Sequence, residues 1–248
     1  MIPDLLVRHG ARLLHGLLIT LELVAISGSI GALLAIPLTM GRLSKNRFVS
    51  ALAFGYVYFF RGTPLLAQLF LIYYGVGEFA GQYAPQLKAV GLWVYLRDAF
   101  YYAVFAFALN TAAYQAEIFR GAIQSVSRGQ WEAGLSLGLH RLPLLWKIIA
   151  PQAAMVALRP LGNELILLIK ASAIASIVTV LDLMGETRLA FSRSYDLSIY
   201  FYAAILYLVM VEAIRRLWNA MDRRLTRHLR RESRPTPTEA AGLVPIVE

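Results

Sequence analysis

Apolar residues gather into five long stretches, at about residues 16–40, 50–76, 99–117, 152–180 and 197–218, with polar and charged residues collected between them. A hydrocarbon core ~30 Å thick needs about 20 apolar residues in a helix, and the stretch 16–40, interrupted by the single charge of Glu22, meets that length. A helix in a soluble core would be shorter. The pattern predicts an all-α fold, a polytopic membrane bundle of five transmembrane helices with one large cytoplasmic loop. The first stretch exceeds a secretory h-region and is not followed by a small-residue cleavage site, so it is expected to be a retained helix. No interior linker or internal repeat is visible, which predicts one membrane domain over residues 1–230. Beyond it, Glu232-Ser233-Arg234-Pro235-Thr236-Pro237 opens a polar tail without helical periodicity, so 231–248 is expected to be disordered.

Charge sets the expected orientation. Fifteen Lys and Arg residues fall on one side of the five stretches (Arg42, Lys45, Arg47, Arg120, Arg128, Arg141, Lys147 and eight arginines from Arg215 to Arg234). Six fall on the other, and Arg61, Arg159 and Lys170 lie within stretches. The positive-inside rule then predicts an outside N-terminus and a cytoplasmic C-terminus. The arginines after the last stretch are placed to attract anionic headgroups of the bilayer.

Composition narrows the chemistry. With 58% hydrophobic and 16% charged residues, the chain has more apolar surface than a soluble domain buries. The net charge of +9 sits where cytoplasmic loops of membrane proteins collect it, which argues against nucleic acid as a partner. There are no cysteines, and His9, His15, His140 and His228 show no metal-ligand spacing.

The most informative segment is the cytoplasmic loop at about 120–151. Ser127 is placed to cap a short helix whose first turns carry Gln130 and Glu132, acidic and polar residues favoured near a helix N-terminus, and Gly138 is expected to end it. A second short segment from Arg141 to Ile149 presents Leu142, Leu145, Ile148 and Ile149 at three- and four-residue spacings before Pro151 opens the next membrane helix. Two short helices joined at a glycine form a rigid knob that can carry motion between a soluble partner and the spans.

These residues carry a family resemblance. Glu132-Ala133-Gly134, three residues, Gly138, nine residues, Ile148, one residue, then Ala150-Pro151 resembles the EAA motif of the membrane subunits of ATP-binding-cassette importers. Gly134 stands for the usual alanine and Ala150 for the usual leucine, both small. Arg61-Gly62-Thr63-Pro64-Leu65-Leu66, Ala116-Glu117-Ile118-Phe119-Arg120-Gly121, Pro151-Gln152-Ala153 and Asn163-Glu164-Leu165 with Lys170 resemble the signatures of permeases for polar amino acids. Lys170-Ala171-Ser172-Ala173 and Leu181-Asp182-Leu183 look most like the branch for histidine, basic amino acids and opines. The resemblance covers about residues 16–228 and implies a permease in a bacterial inner membrane. It also implies that Glu132, Ala133, Gly134, Gly138 and Pro151 belong to the coupling loop that docks on a cytoplasmic ATPase. The implied partners are an ATPase dimer, a second permease subunit, the same or paralogous, and an extracytoplasmic substrate-binding protein meeting the loops near 77–98 and 183–196. No cofactor is expected in this chain, since it has no GxxxxGK[ST] loop; ATP and Mg belong to the ATPase.

Charges within apolar stretches cost about 2.5–3.5 kcal/mol each on insertion scales and so tend to face a bundle interior or cavity. Glu22, Arg61, Glu164 and Lys170 qualify as substrate-pathway candidates, with Asn163 beside Glu164. Each is equally readable as an internal ion-pair partner or a boundary residue. Arg61 lies beside Pro64, which removes a backbone donor and frees a carbonyl that needs another partner. Glu164 and Lys170, six residues apart, lean to opposite faces of a helix, so an intrahelical pair is not expected. A carboxylate lining the cavity would replace part of a cationic substrate's hydration, which singles out Glu164. The rival readings are a membrane hydrolase, which would need a nucleophile with a base in reach, and an ion-coupled carrier or channel, which would leave the 120–151 loop unexplained.

Overall fold

The computed structural model describes residues 2–226, and within them the chain is almost entirely helical. In chain order the elements are α1 (Ile2–Arg42), α2 (Arg47–Gly62), α3 (Leu65–Phe70), a π-turn (Leu71–Val76), α4 (Gly77–Gln82), α5 (Ala84–Ala89), α6 (Trp93–Leu96) and α7 (Ala99–Ser125). Then follow α8 (Arg128–Ser136), α9 (Arg141–Leu144), a second π-turn (Leu145–Ile149), α10 (Ala150–Ser172), a 3₁₀ turn (Ala173–Val178), α11 (Leu183–Ser194) and α12 (Ser198–Leu225). The tail expected at 231–248 lies outside the described residues.

Helix starts are set by local chemistry. Asn46 accepts from the N–H groups of Phe48 and Val49, Asp98 from Phe100 and Asp182 from Gly185, each satisfying donors that a first turn leaves unpaired. The segments expected as outer loops, 77–98 and 183–196, are largely helical, as α4, α5, α6 and α11. Asp182 starts α11, and Pro85 stands in the first turn of α5, where its missing N–H costs nothing.

α7 is the centre of the bundle, with α1, α2, α3 and α10 packed against it. Its buried face is built from small residues, Ala103, Ala106, Ala112, Ala113 and Ala116, all fully buried, which lets neighbouring backbones come close. The closest approach is to α1: a Cβ built at Gly31 would overlap the Thr111 methyl and lie 3.3 Å from both the Ala108 carbonyl and the Ala112 nitrogen. Thr39 adds a hydrogen bond across the same interface, to the Ala116 carbonyl at 3.1 Å. On the other side, Trp218 Nε1 of α12 donates to the Leu158 carbonyl of α10 at 2.8 Å.

Three helical stretches are long and apolar enough to cross a membrane by themselves: His9–Arg42, Arg141–Val178 and Ser198–Leu225. The other two expected spans depart from that pattern for physical reasons. The 50–76 stretch is broken after 16 residues at Thr63-Pro64. α7 is long enough but, being enclosed by other helices, carries polar residues (Asn110, Thr111, Gln115, Glu117) that a lipid-facing helix would not. The helices also overrun the apolar stretches that mark them, because a helix persists into the interface while hydropathy falls.

Candidate functional site

The break in the second stretch organises a polar seam. Thr63 is extended (φ −111°, ψ 148°), as a residue before proline prefers. Pro64 cannot donate to the Phe60 carbonyl four residues back. That carbonyl instead accepts from Gln68 Nε2 at 2.9 Å and from Asn110 Nδ2 of α7 at 3.0 Å. The Gln68 amide also reaches Thr63 Oγ1 at 2.7 Å, and its Oε1 accepts from Asn110 at 2.9 Å. Gln68 is 3% exposed, so these bonds are what make its burial tolerable.

At the next position of α7 the seam gains a carboxylate. Thr111 Oγ1 donates to Glu164 Oε1 of α10 at 2.9 Å, and Gln115 Nε2 donates to Thr111 Oγ1 at 3.1 Å and to the Gly28 carbonyl at 3.2 Å. The Arg61 guanidinium lies 5.1 Å from the centroid of the Tyr114 ring; it is exposed and makes no ion pair among the described residues. Arg61 and Glu164, more than 100 positions apart, thus reach α7 one turn from each other, at Tyr114 and Thr111. Asn163, beside Glu164, is exposed. Glu22 and Lys170 are elsewhere: both are exposed, on α1 and near the end of α10, and neither makes an ion pair among the described residues. Gln68, Asn110, Thr111, Tyr114 and Gln115 were not singled out from sequence. Four of them fill four of the six positions from 110 to 115 on α7, the signal that would have found them, whereas Gln68 lies on α3.

At the bundle end where α1 and α7 finish, Glu117 joins three elements. It pairs with Arg42 Nε at 3.0 Å and with Arg120 Nη2 at 2.6 Å; Arg42 also lies over the Phe54 ring of α2, at 4.9 Å.

Next to that end stands the α8–α9 unit. α8 closes in a Schellman arrangement: Gly138 N–H donates to Leu135 O at 3.0 Å, Leu139 N–H to Gly134 O at 3.1 Å, and Gly138 takes φ +75°. Gly138 thus ends the helix as its sequence position predicts. A Cβ there would meet nothing within 4 Å, so the constraint is conformational alone. Gly138→Ala is expected to cost about 1–2 kcal/mol locally and to lower uptake through a misplaced α8, whereas Gly138→Asn, which tolerates positive φ, keeps most of it; transport assays on matched expression levels check this.

Two expectations for this loop are corrected. Ser127 holds the N-cap position, yet its hydroxyl makes no capping bond, because the Gln130 N–H already donates to the Ser127 carbonyl at 3.1 Å. The segment from Arg141 to Ile149 is not a separate short helix: α9 runs through the π-turn into α10, with the Ala150 N–H reaching back to the Leu145 carbonyl. That wide turn sits directly before Pro151, where it removes the clash a proline ring makes with the carbonyl four residues back.

Gly134 faces inward, and a Cβ there would strike Leu144 of α9, which is fully buried. The glycine at this motif position leaves room for the tip of the Leu144 side chain against α8. The opposite side of α8 presents Glu132 and Ala133, both exposed, next to Leu135 and an 80% exposed Leu137. Exposed leucines beside a carboxylate give α8 an outer face that is part apolar and part acidic.

Residues 28–227 match the family model described as the binding-protein-dependent transport system inner membrane component. The nopaline transport system permease protein NocM of Agrobacterium fabrum is 40% identical over 239 residues, covering 96% of this chain and 98% of its own. The arginine ABC transporter permease protein ArtM of Haemophilus influenzae is 38% identical over 199 residues, covering 80% of this chain and 85% of its own. A solved amino acid ABC transporter crystallised with histidines superposes with a TM-score of 0.76 at 34% identity, covering 88% of this chain and 96% of that one. The chain belongs to the family of binding-protein-dependent transport system inner membrane components, the membrane-spanning permease subunits of ATP-binding-cassette importers.

Proposed function

We propose that this permease moves basic amino acids, histidine or opines across a bacterial inner membrane, with the Arg61–Glu164 seam lining the path. The observation that carries the substrate class is the half-buried Glu164 carboxylate held by Thr111 of α7, with the exposed Arg61 guanidinium on Tyr114 one turn further along the same helix, where a substrate's own ammonium and carboxylate groups need replacements for lost water. The names of the similar permeases, nopaline and arginine among them, point the same way. Glu164 meets the cationic side chain, and Asn163 supplies a neutral hydrogen bond. Glu22 and Lys170, exposed on the single chain, are satisfied by the second permease subunit or by the water-filled path.

The chain crosses the membrane five times, through α1, the broken α2–α4 segment, α7, α10 and α12, with the N-terminus outside and the C-terminus cytoplasmic. Residues 1–230 form this one domain. Two such subunits enclose the path, two ATPase subunits using ATP and Mg bind beneath, and a substrate-binding protein docks on the outer face near α4–α6 and α11. Glu132, Ala133, Gly134 and Gly138 present the docking surface, and Pro151 with its π-turn joins it to α10. At rest the cavity opens inward. When the ATPases close they draw the α8–α9 units together, and α10, continuous with α9, moves with them. The two states must differ in substrate affinity for this to drive import.

Glu164→Gln keeps the Thr111 contact but removes the charge. It is expected to raise the apparent KM for arginine about tenfold, the ~1.4 kcal/mol scale of one charge-assisted contact, with little effect on a neutral polar amino acid. Uptake of arginine at the wild-type KM would overturn the assignment.

A further inference from the structure

A cavity of about 190 Å³ opens between the last turns of α1 and α7 and the start of α10. Its wall includes Ile36, Met40, Phe119, Ile123, Trp146 and Ala153. The single hydroxyl in the wall, that of Thr39, is already committed to the Ala35 and Ala116 carbonyls at 2.7 and 3.1 Å, so nothing polar is offered to an occupant. An apolar cavity of ~150 Å³ accepts a benzene ring; this one accepts a few carbons of a chain. Of the lining residues, Met40, Ile36, Trp146 and Ala154 are exposed and mark its mouth.

The residues next to this lining in sequence carry a net positive charge. Arg42 and Arg120 share the one carboxylate of Glu117, leaving a net charge of +1, and Arg42 follows Met40 by two residues while Arg120 follows Phe119 directly. Lys147, next to Trp146 in the π-turn, is exposed and has no ion-pair partner among the described residues. An apolar slot at helix-end depth, with a net charge of +2 on Arg42, Glu117, Arg120 and Lys147 within two positions of its lining, complements one phosphate attached to a hydrocarbon chain.

We propose that this cavity binds one acyl chain of an anionic phospholipid, with its phosphate held by Lys147 and the Arg42–Glu117–Arg120 cluster. Because Leu145 and Trp146 of the π-turn form part of the wall, the bound chain braces the joint between the α8–α9 unit and α10. Anionic lipid thereby becomes a condition for transmitting motion from the coupling surface to the spans. The binding claim stands on geometry and charge; its effect on transport rests on the importer mechanism above.

The test embeds the full-length chain in nanodiscs containing phosphatidylglycerol with a diazirine near the end of one acyl chain, and maps photoadducts by mass spectrometry. Adducts are expected to concentrate on peptides covering 36–40, 119–123 and 145–154. They should fall about fivefold in Lys147→Gln, fall further when matched phosphatidylcholine replaces the anionic lipid, and vanish from these peptides in Ala154→Phe. Position 154 is exposed, so the added ring closes the mouth without entering the core; a monodisperse elution profile confirms the fold. Equal labelling by the two lipids, or undiminished labelling in Ala154→Phe, overturns the proposal. Because both leaflets carry the probe and no ATPase is present, failure here leaves the importer reading untouched.

Discussion

Gly31→Leu is expected to abolish the bundle. The Cβ alone would collide with Thr111 and crowd the α7 backbone at Ala108 and Ala112. Backbone inside a packed helix cannot yield as a side-chain tip can, so α1 must separate from the helix at the centre of the fold. Overpacking of a close interface typically costs about 1–3 kcal/mol and more where backbone blocks relaxation; here the upper end or beyond applies, a large part of the ~5–15 kcal/mol that holds a domain. Purified in mild detergent, the variant should aggregate or melt far below wild type. Gly55→Ala is the matched control: its Cβ meets nothing within 4 Å, and the substitution should leave the melting temperature unchanged or higher, since alanine favours helix. A Gly31→Leu protein as stable as the control would show that α1 and α7 do not pack as described.

Glu132→Arg is the second large effect, and it is of the opposite kind. Glu132 is exposed on α8 and makes no ion pair among the described residues, so the chain should fold and melt as wild type. On the proposed coupling role, what changes is the surface offered to the ATPase. Reversing a charge at the middle of a docking patch replaces an attraction with a repulsion and leaves the partner's group unpaired, a change that commonly costs about 2–5 kcal/mol at an interface. ATP-dependent uptake should fall by at least about thirtyfold, the lower end of that range, with the permease present at normal level. Leu137→Asp, on the same exposed face, should act similarly; uptake unaffected by either would remove α8 from the docking surface.

What was readable in the sequence and what was not follows from the range of the interactions. Pro64 is a local signal, and it shows that the second stretch breaks and that a carbonyl is freed. Its partners, Gln68 and Asn110, are a matter of tertiary packing, because Asn110 is 50 residues from Phe60 and the polar spacing at 110–115 marks it without saying what it bonds to. Gly138 is legible for the same local reason: one residue with positive φ ends one helix. Ser127 misleads because two acceptors compete for the Gln130 N–H, and main-chain geometry, invisible in a residue list, gives it to the carbonyl. The wide turn at Leu145–Ile149 is hidden because five apolar residues at helical spacing read the same whether they wind as an α- or π-turn; only Pro151 behind them hints at the strain. Glu164 and Arg61 stand out by their insertion cost, whereas their meeting place depends on how α2 and α10 both pack on α7. Glu22 and Lys170 stand out for the same cost and are not brought to that place.

The chemistry of the seam and the placement of α8 are both consequences of one arrangement, a polar helix held at the centre of apolar ones. α7 tolerates Asn110, Thr111, Gln115 and Glu117 because each has a partner within the bundle. The same helix carries the Glu117 clasp at one end and leads into α8 directly after it.

The most direct measurement is uptake of labelled arginine into proteoliposomes holding this permease with its co-encoded ATPase, its binding protein outside and ATP inside, compared with a non-hydrolysable ATP analogue and with an imposed ion gradient alone. Accumulation only with hydrolysable ATP is the predicted result. Accumulation on the gradient without the ATPase would contradict the account and make the chain an ion-coupled carrier.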